Sequence, residues 1–344
     1  MSIPPKSARP GHRAASLVGL LAMVSLLSCQ PHKTSRTRVR IAVPDVGFSY
    51  LPVFMAKELG FYGDQGLDAT IDAVYGGGSK SMQAILGGSV DTAGISLELG
   101  IQLAAAGQYV QSFVALVDRP IYTLAVSPAS KRRVHDVPDL KGTVIGVSSP
   151  GSGSHNFANY VLVTRGVPVK SVSFVGIGLG APAIAAFEHG QIDAAVLVGN
   201  AITTVERRSP GLRILADTRT VEGFKKVFGT DVYPAQGLAA SPEWLRRNPT
   251  TAGKVARALM RTIQFMREHT AEEIHSRMPA QYRSPDTEAD LEAIREIVPA
   301  LSRDGKITPE GAQIVKNVLE VSSEKVRLAS LDLSKTYTNE FVEP

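Results

Sequence analysis

The stretch Ile85-Leu86-Gly87-Gly88-Ser89-Val90-Asp91-Thr92-Ala93 is matched in kind, about a hundred residues later, by Phe187-Glu188-His189-Gly190-Gln191-Ile192-Asp193-Ala194-Ala195. In each, a helical run ends at a glycine, a β-branched residue enters the next strand, and an aspartate follows at once. A helix-to-strand joint used twice predicts two similar α/β units. The surrounding periodicity agrees. Val39 to Val43 reads as strand, Leu51 to Leu59 as helix, Leu67 to Ala73 as strand and Lys80 to Leu86 as helix, the alternation of a parallel sheet. Pro52 suits a first helical turn and Gly60 a helix end. Ser241-Pro242-Glu243 and Thr308-Pro309-Glu310 place a hydroxyl cap, a proline and an acid where a helix start favours each. Further strands are expected over Ile192 to Val198, Arg213 to Ala216 and Gly237 to Ser241. Beyond them the chain turns helical, with Val255, Leu259, Ile263 and Met266 as a core stripe.

The chain has 344 residues, 44% of them apolar, which is ample for burial and long enough for two lobes. Its net charge of +5 comes from 37 basic and 32 acidic residues. Lys6, Arg9 and Arg13 precede an apolar run, Ala14 to Leu27, that is too short to span a bilayer and reads as a cleaved signal. The run ends in Leu26-Leu27-Ser28-Cys29, which resembles the lipobox of bacterial lipoproteins. Cleavage after Ser28 would leave Cys29, the single cysteine, diacylated at the new N-terminus, with residues 29–38 as a polar tether. The signal removes three cations and leaves a charge of about +2, no footprint for nucleic acid. The clusters Lys131-Arg132-Arg133, Arg207-Arg208 and Arg246-Arg247 are scattered and read as solvated faces.

Three Gly and Ser-rich segments follow strands and precede helices: Gly76-Gly77-Gly78-Ser79, Gly94-Ile95-Ser96 and Ser148-Ser149-Pro150-Gly151-Ser152-Gly153-Ser154. A helix start exposes unpaired N–H groups and a positive dipole end, glycine admits a close approach, and serine adds a donor, so these segments suit an anion without a basic side chain. Nucleotide motifs do not fit. Ser79 separates the glycines from Lys80, and Gly176-Ile177-Gly178-Leu179-Gly180 has its third glycine one place early. The seven histidines contain no His-Glu-x-x-His pair, His269 and His275 read as lying on a solvated helix, and no metal or cofactor is expected. Gly151-Ser152-Gly153-Ser154-His155 misses the spacing of a nucleophile elbow.

Leu51-Pro52 through Gly60-Phe61-Tyr62, then Gly66-Leu67-Asp68, Gly76 to Ser79, Gly88-Ser89-Val90-Asp91, Asp139-Leu140-Lys141-Gly142, Ile145-Gly146-Val147, Gly190 to Ala194 and Asp304-Gly305-Lys306-Ile307-Thr308 together resemble one family. It comprises the nitrate, sulfonate, taurine and thiamine-precursor binding proteins of ABC importers. The resemblance implies a type II periplasmic binding protein fold, α/β with two lobes, a hinge and a central ligand cleft. Lobe 1 is expected over residues 39–127 and 235–344 and lobe 2 over 128–234, with crossings near Val126 to Pro128 and Tyr233 to Gln236. It implies that Phe48, Ser49, Tyr50, Gly78, Ser79 and Ser96 line one cleft wall, and that Ser152, Gly153, Ser154, His155 and Asn200 line the other. Tyr50 and Tyr122 read equally as core aromatics, and Asn200 as a turn residue. The implied protein is a monomeric, extracytoplasmic, lipid-anchored binding protein, not an enzyme, that delivers a small anionic organic solute to a membrane permease. Binding of a thiamine pyrimidine precursor is the alternative, weakened because Trp244 is the single tryptophan. A sensory module for a membrane kinase is another. An enzyme using His155 as base is a third, and the pyrimidine-forming enzymes of this fold carry a cysteine-rich motif absent here.

Overall fold

The computed structural model describes residues 36–44, 48–74 and 77–342. The expected signal peptide, Cys29, most of the tether and Gly76 lie outside them. The described strands are β1 (Thr37–Pro44), β2 (Leu67–Val74), β3 (Thr92–Ser96), β4 (Gln111–Val117), β5 (Thr123–Val126), β6 (Val144–Val147), β7 (Ser173–Gly176), β8 (Ala194–Leu197), β9 (Ile214–Asp217) and β10 (Gln236–Ala240). They form two five-stranded sheets, in the orders β2-β1-β3-β10-β4 and β7-β6-β8-β5-β9. In the first, β1 pairs parallel with β2 and β3, and β10 inserts antiparallel between β3 and β4. The second repeats the scheme. Its β6 pairs parallel with β7 and β8, and β5 inserts antiparallel between β8 and β9.

The sequence echo is a structural repeat with one electrostatic device. Asp91 N donates to Arg40 O at 3.0 Å, and the Asp91 carboxylate accepts from Arg40 N at 2.8 Å. Asp193 N donates to Val144 O at 2.8 Å, and its carboxylate accepts from Val144 N at 2.9 Å. Each aspartate therefore closes the backbone ladder beside a parallel neighbour whose N–H would otherwise be left over.

Helix boundaries follow local chemistry. Ser241 Oγ accepts from Trp244 N at 3.1 Å and Thr308 Oγ1 from Gly311 N at 3.0 Å, capping Pro242–Arg247 and Pro309–Ser322. Val255, Leu259, Ile263 and Met266 bury one face of Pro249–Glu268 in the first sheet's core. His275 departs from the solvated-face reading: it is largely buried, with Nε2 3.4 Å from Asp290 Oδ2.

The chain passes from the first sheet to the second earlier than the expected Val126 to Pro128. Thr123–Val126 is a fully buried strand of the second sheet, because its apolar residues complete the antiparallel pairing with β8 and β9. The passage lies at residues 118–122. There Tyr122 N donates to Thr218 Oγ1 at 2.8 Å and Thr218 Oγ1 donates to Pro120 O at 2.7 Å, tying outgoing and returning segments side by side. By Ala235 the chain has rejoined the first sheet, where Ala235 N donates to Val117 O at 2.9 Å.

Candidate functional site

Strand carboxyl ends from both sheets open on one cleft that is continuous with solvent. This is where ligands collect in open α/β sheets, since each strand there hands over to a helix N-terminus. From the first sheet, β1 leads through Pro44 to Ser49 and Tyr50, β2 to the helix Gly77–Leu86, and β3 to Ser96 ahead of Leu97–Ala104. From the second, β6 leads through Ser148 and Ser152 to Gly153–Thr164. Three helix starts, at Gly77, Leu97 and Gly153, thus bring their positive dipole ends to a shared space.

Of the residues expected from sequence, Ser49, Tyr50, Gly78, Ser96, Ser152, Gly153 and Ser154 line the cleft. Four others do not. Phe48 is buried in the first sheet's core and packs against Gly199. Ser79 Oγ donates to Pro150 O at 3.3 Å, a tie between the two walls. His155 folds back on its own loop: Nδ1 accepts from Gly151 N at 2.8 Å and the ring meets Phe174 edge-on. Burial lowers its pKa. Asn200 Nδ2 donates to Asp290 Oδ1 at 2.8 Å, which turns it away from the cleft.

The serines of the second wall form a closed cluster. Ser148 Oγ lies 2.9 Å from both Ser152 Oγ and Ser154 Oγ, which are 2.9 Å from each other, and Ser148 N donates to Ser154 Oγ at 2.9 Å. Ser152 also caps the helix by accepting from His155 N. With one proton per hydroxyl, the three mutual bonds occupy all three O–H donors, so an anion takes a serine donor here only by displacing one of these bonds.

Two glycines are required for space. A Cβ on Gly94 would lie 2.5 Å from Tyr50 Cε1, so the glycine lets the Tyr50 ring lie on β3. A Cβ on Gly153 would lie 2.4 Å from the Tyr122 hydroxyl and 3.1 Å from Glu98 Oε2.

The cleft also takes in Pro44, Gly77, Leu99, Tyr122, Ser148, Leu179, Val198 and Gln236. Gln236 Nε2 donates to the Tyr122 hydroxyl at 3.0 Å while its buried Oε1 has no protein partner. Beneath this wall sits Glu98, which sequence reasoning did not single out. It is 4% exposed, and Oε1 accepts from the Tyr233 hydroxyl at 2.5 Å. Burial raises its pKa against the opposing pull of Tyr233, Asn156 and Ser96. Burial, with the Glu98 charge, likewise raises the phenols of Tyr50 and Tyr122, which stay protonated as donors. No lysine, arginine or histidine is among the lining residues. Among the described residues no cluster of His, Cys, Asp and Glu could hold a metal ion, and no helix is long and apolar enough to cross a membrane.

The model of the family described as NMT1/THI5 like matches residues 48–273, which include every cleft-lining residue except Pro44. A solved protein from Bordetella bronchiseptica RB50 is 33% identical, with a TM-score of 0.82 over 90% of this chain and 96% of that one. The alkanesulfonate-binding protein SsuA of Xanthomonas axonopodis pv. citri, solved bound to MOPS, is 17% identical, with a TM-score of 0.64 over 85% of this chain and 96% of that one. A Candida albicans gene product described as exhibiting the generic periplasmic binding protein fold is 18% identical, with a TM-score of 0.67 over 88% and 96%. The two-lobed α/β architecture is therefore the periplasmic binding protein fold, and the chain belongs to the NMT1/THI5-like family.

Proposed function

We propose that this protein is the extracytoplasmic solute-binding component of an ABC importer, which captures a small organic anion between its lobes and presents the closed form to a membrane permease. The observation that carries this reading is the convergence of three helix N-termini, with Ser49, Ser96, Ser148, Ser152 and Ser154, on one cleft between the two sheets. Fixed N–H and O–H dipoles hold an anion in a dehydrated site. A neutral analogue leaves donors unpaired, so the arrangement discriminates in both directions. Closure follows because a solute touching both walls binds the closed state better, and only that difference can shift the equilibrium. The family match and the alkanesulfonate ligand class of SsuA support the same reading.

In this proposal lobe 1 comprises residues 39 to about 120 and 235–344, lobe 2 the segment between, and the protein works as a monomer anchored through diacylated Cys29. A flat aromatic solute is the weaker reading, since the Tyr122 ring already packs on Phe157 at 5.3 Å and Tyr50 lies on Gly94. Native mass spectrometry of the signal-free protein should reveal a co-purified small anion, and a thermal-shift panel of alkanesulfonates, nitrate, carboxylates and pyrimidines should rank anions first. A panel without any response would count against the importer role. Fatty-acid labelling lost in Cys29→Ser would support the anchor, and retained labelling would refute it.

A further inference from the structure

Glu98 is a buried carboxyl held where the two cleft walls meet. Tyr233 donates to Oε1 at 2.5 Å and Ser96 Oγ to Oε2 at 3.3 Å, while Oε2 lies 3.1 Å from where a Cβ on Gly153 would sit. Ser96 and Gly153 therefore meet both the cleft and this carboxyl, and Tyr122, another lining residue, feels its charge. The titratable groups that face Glu98 are the phenols of Tyr50, Tyr122 and Tyr233, none of them a cation. His155, on the helix Gly153–Thr164 packed against it, is turned to Gly151 and Phe174. On the flanking helices, Lys316 pairs with Glu320 and Lys80 donates to Gln83. Among the described residues Glu98 forms no ion pair.

We propose that anion capture by this protein is proton-linked: the solute anion enters the cleft together with one proton from water, which ends on the Glu98 carboxyl. The inference rests on the anion reading of the cleft given above. Two negative charges separated by little more than Ser96 and Gly153 repel strongly once closure excludes water, and among the described residues no cation lines the space between them. Neutralising Glu98 removes that repulsion. The protonated carboxyl keeps Tyr233 on Oε1, and its new O–H can donate toward Ser96, which frees the serine hydroxyl to donate to the anion. The balance is one anion and one proton in, with no net charge added. Affinity is then flat at low pH. It weakens about tenfold per pH unit once Glu98 ionises in the ligand-free protein, until the higher pKa of the complex is passed. Burial raises the Glu98 pKa, the direction such a link requires.

The test uses the signal-free protein with ethanesulfonate, nitrate and acetate as probes, titrated by calorimetry between about pH 5 and pH 9 in cationic buffers. Proton uptake is read on mixing in a weakly buffered pH-stat. The expected result is uptake approaching one proton per anion, with affinity falling about tenfold over a pH unit, whereas E98Q takes up none, has a flat profile and binds more tightly at the alkaline end. Flat affinity without uptake in the wild type would overturn the link while leaving the anion reading intact. A slope preserved in E98Q, or affinity that rises with pH, would overturn it too, the latter by marking Glu98 as an acceptor for a ligand cation. Should E98Q fail to fold, the wild-type uptake decides alone. Absence of binding by every probe at every pH would defeat the anion reading itself and the link with it.

Discussion

Asn200, at the start of the helix that follows β8, donates its Nδ2 to Oδ1 of the fully buried Asp290 at 2.8 Å, joining the helix Asn200–Arg208 to Thr287–Ile297. Asp290 Oδ2 accepts from Ser284 N at 2.7 Å, and Thr203 Oγ1 adds a bond to Ala289 O at 3.0 Å beside the pair. Removing one donor from a buried carboxylate exposes its desolvation cost, which is larger than the net worth of the bond. Asn200→Ala should therefore cost roughly 1–3 kcal/mol, read as a lower urea midpoint with unchanged m-value. Asn200→Asp should cost more, because it sets two carboxylates against each other. Equal midpoints for wild type and both variants would remove the pair's structural role.

The aspartates of the repeated joint should be equivalent in effect. Asp91→Ala orphans Arg40 N and releases the Arg40 guanidinium, whose Nη2 is 2.8 Å from Asp91 Oδ1. Asp193→Ala orphans Val144 N and frees Ser130 Oγ, now 2.7 Å from Asp193 Oδ1. Each loss is expected at about 1–3 kcal/mol, and the double variant should be additive because the two sites lie in different sheets. Chemical denaturation of the three variants measures both expectations.

That repeat was readable from sequence because it depends on local rules. A glycine ends the helix, a β-branched residue starts the strand, and the aspartate bonds the adjacent parallel strand; only the last needs tertiary structure. The serine-bearing helix starts were legible for the same reason. Glu98 was not, since an acid in the first turn of a helix ordinarily faces water and the positive dipole end, and nothing local tells that Tyr233, 135 residues away, will bury it. Asn200 and His155 were placed correctly along the chain but not in orientation, which is decided by Asp290 on another helix and by the turn at Gly151. The early passage between sheets was hidden because Thr123–Val126 is an apolar run that fits either sheet until β8 and β9 are in place.

Gly153→Ala should separate binding from folding. The added methyl would meet the Tyr122 hydroxyl at 2.4 Å, so the Tyr122–Gln236 pair or the helix start must shift at the cleft wall. Alanine is otherwise the better helix former, and the position has no positive φ to strain. The expected outcome is a folded protein, destabilised by roughly 1–3 kcal/mol through overpacking, whose ligand-induced thermal shift is weakened on the order of tenfold in affinity. Full retention of the shift would place the ligand away from this wall.

Glu296 provides a pH signature independent of the cleft. Burial pushes its carboxyl up to about 7, against the pull of Arg219 and helped by Asp217 and Glu206. Arg219 Nη1 lies 3.1 Å from Glu296 Oε1 and 2.7 Å from Glu206 Oε2, so three acids share one guanidinium. A folded pKa raised above the unfolded value means that the folded state holds the extra proton. The resulting stability is fully present below the model-peptide value of about 4.5 and is lost as pH rises through about 7. Glu296→Gln cannot titrate. The stability of wild type relative to this variant should therefore improve as pH falls from about 8 to about 5, by on the order of 2 kcal/mol after allowance for partial exposure. Urea unfolding of both proteins across that range measures the difference, and a pH-independent gap would show that Arg219 keeps Glu296 ionised throughout.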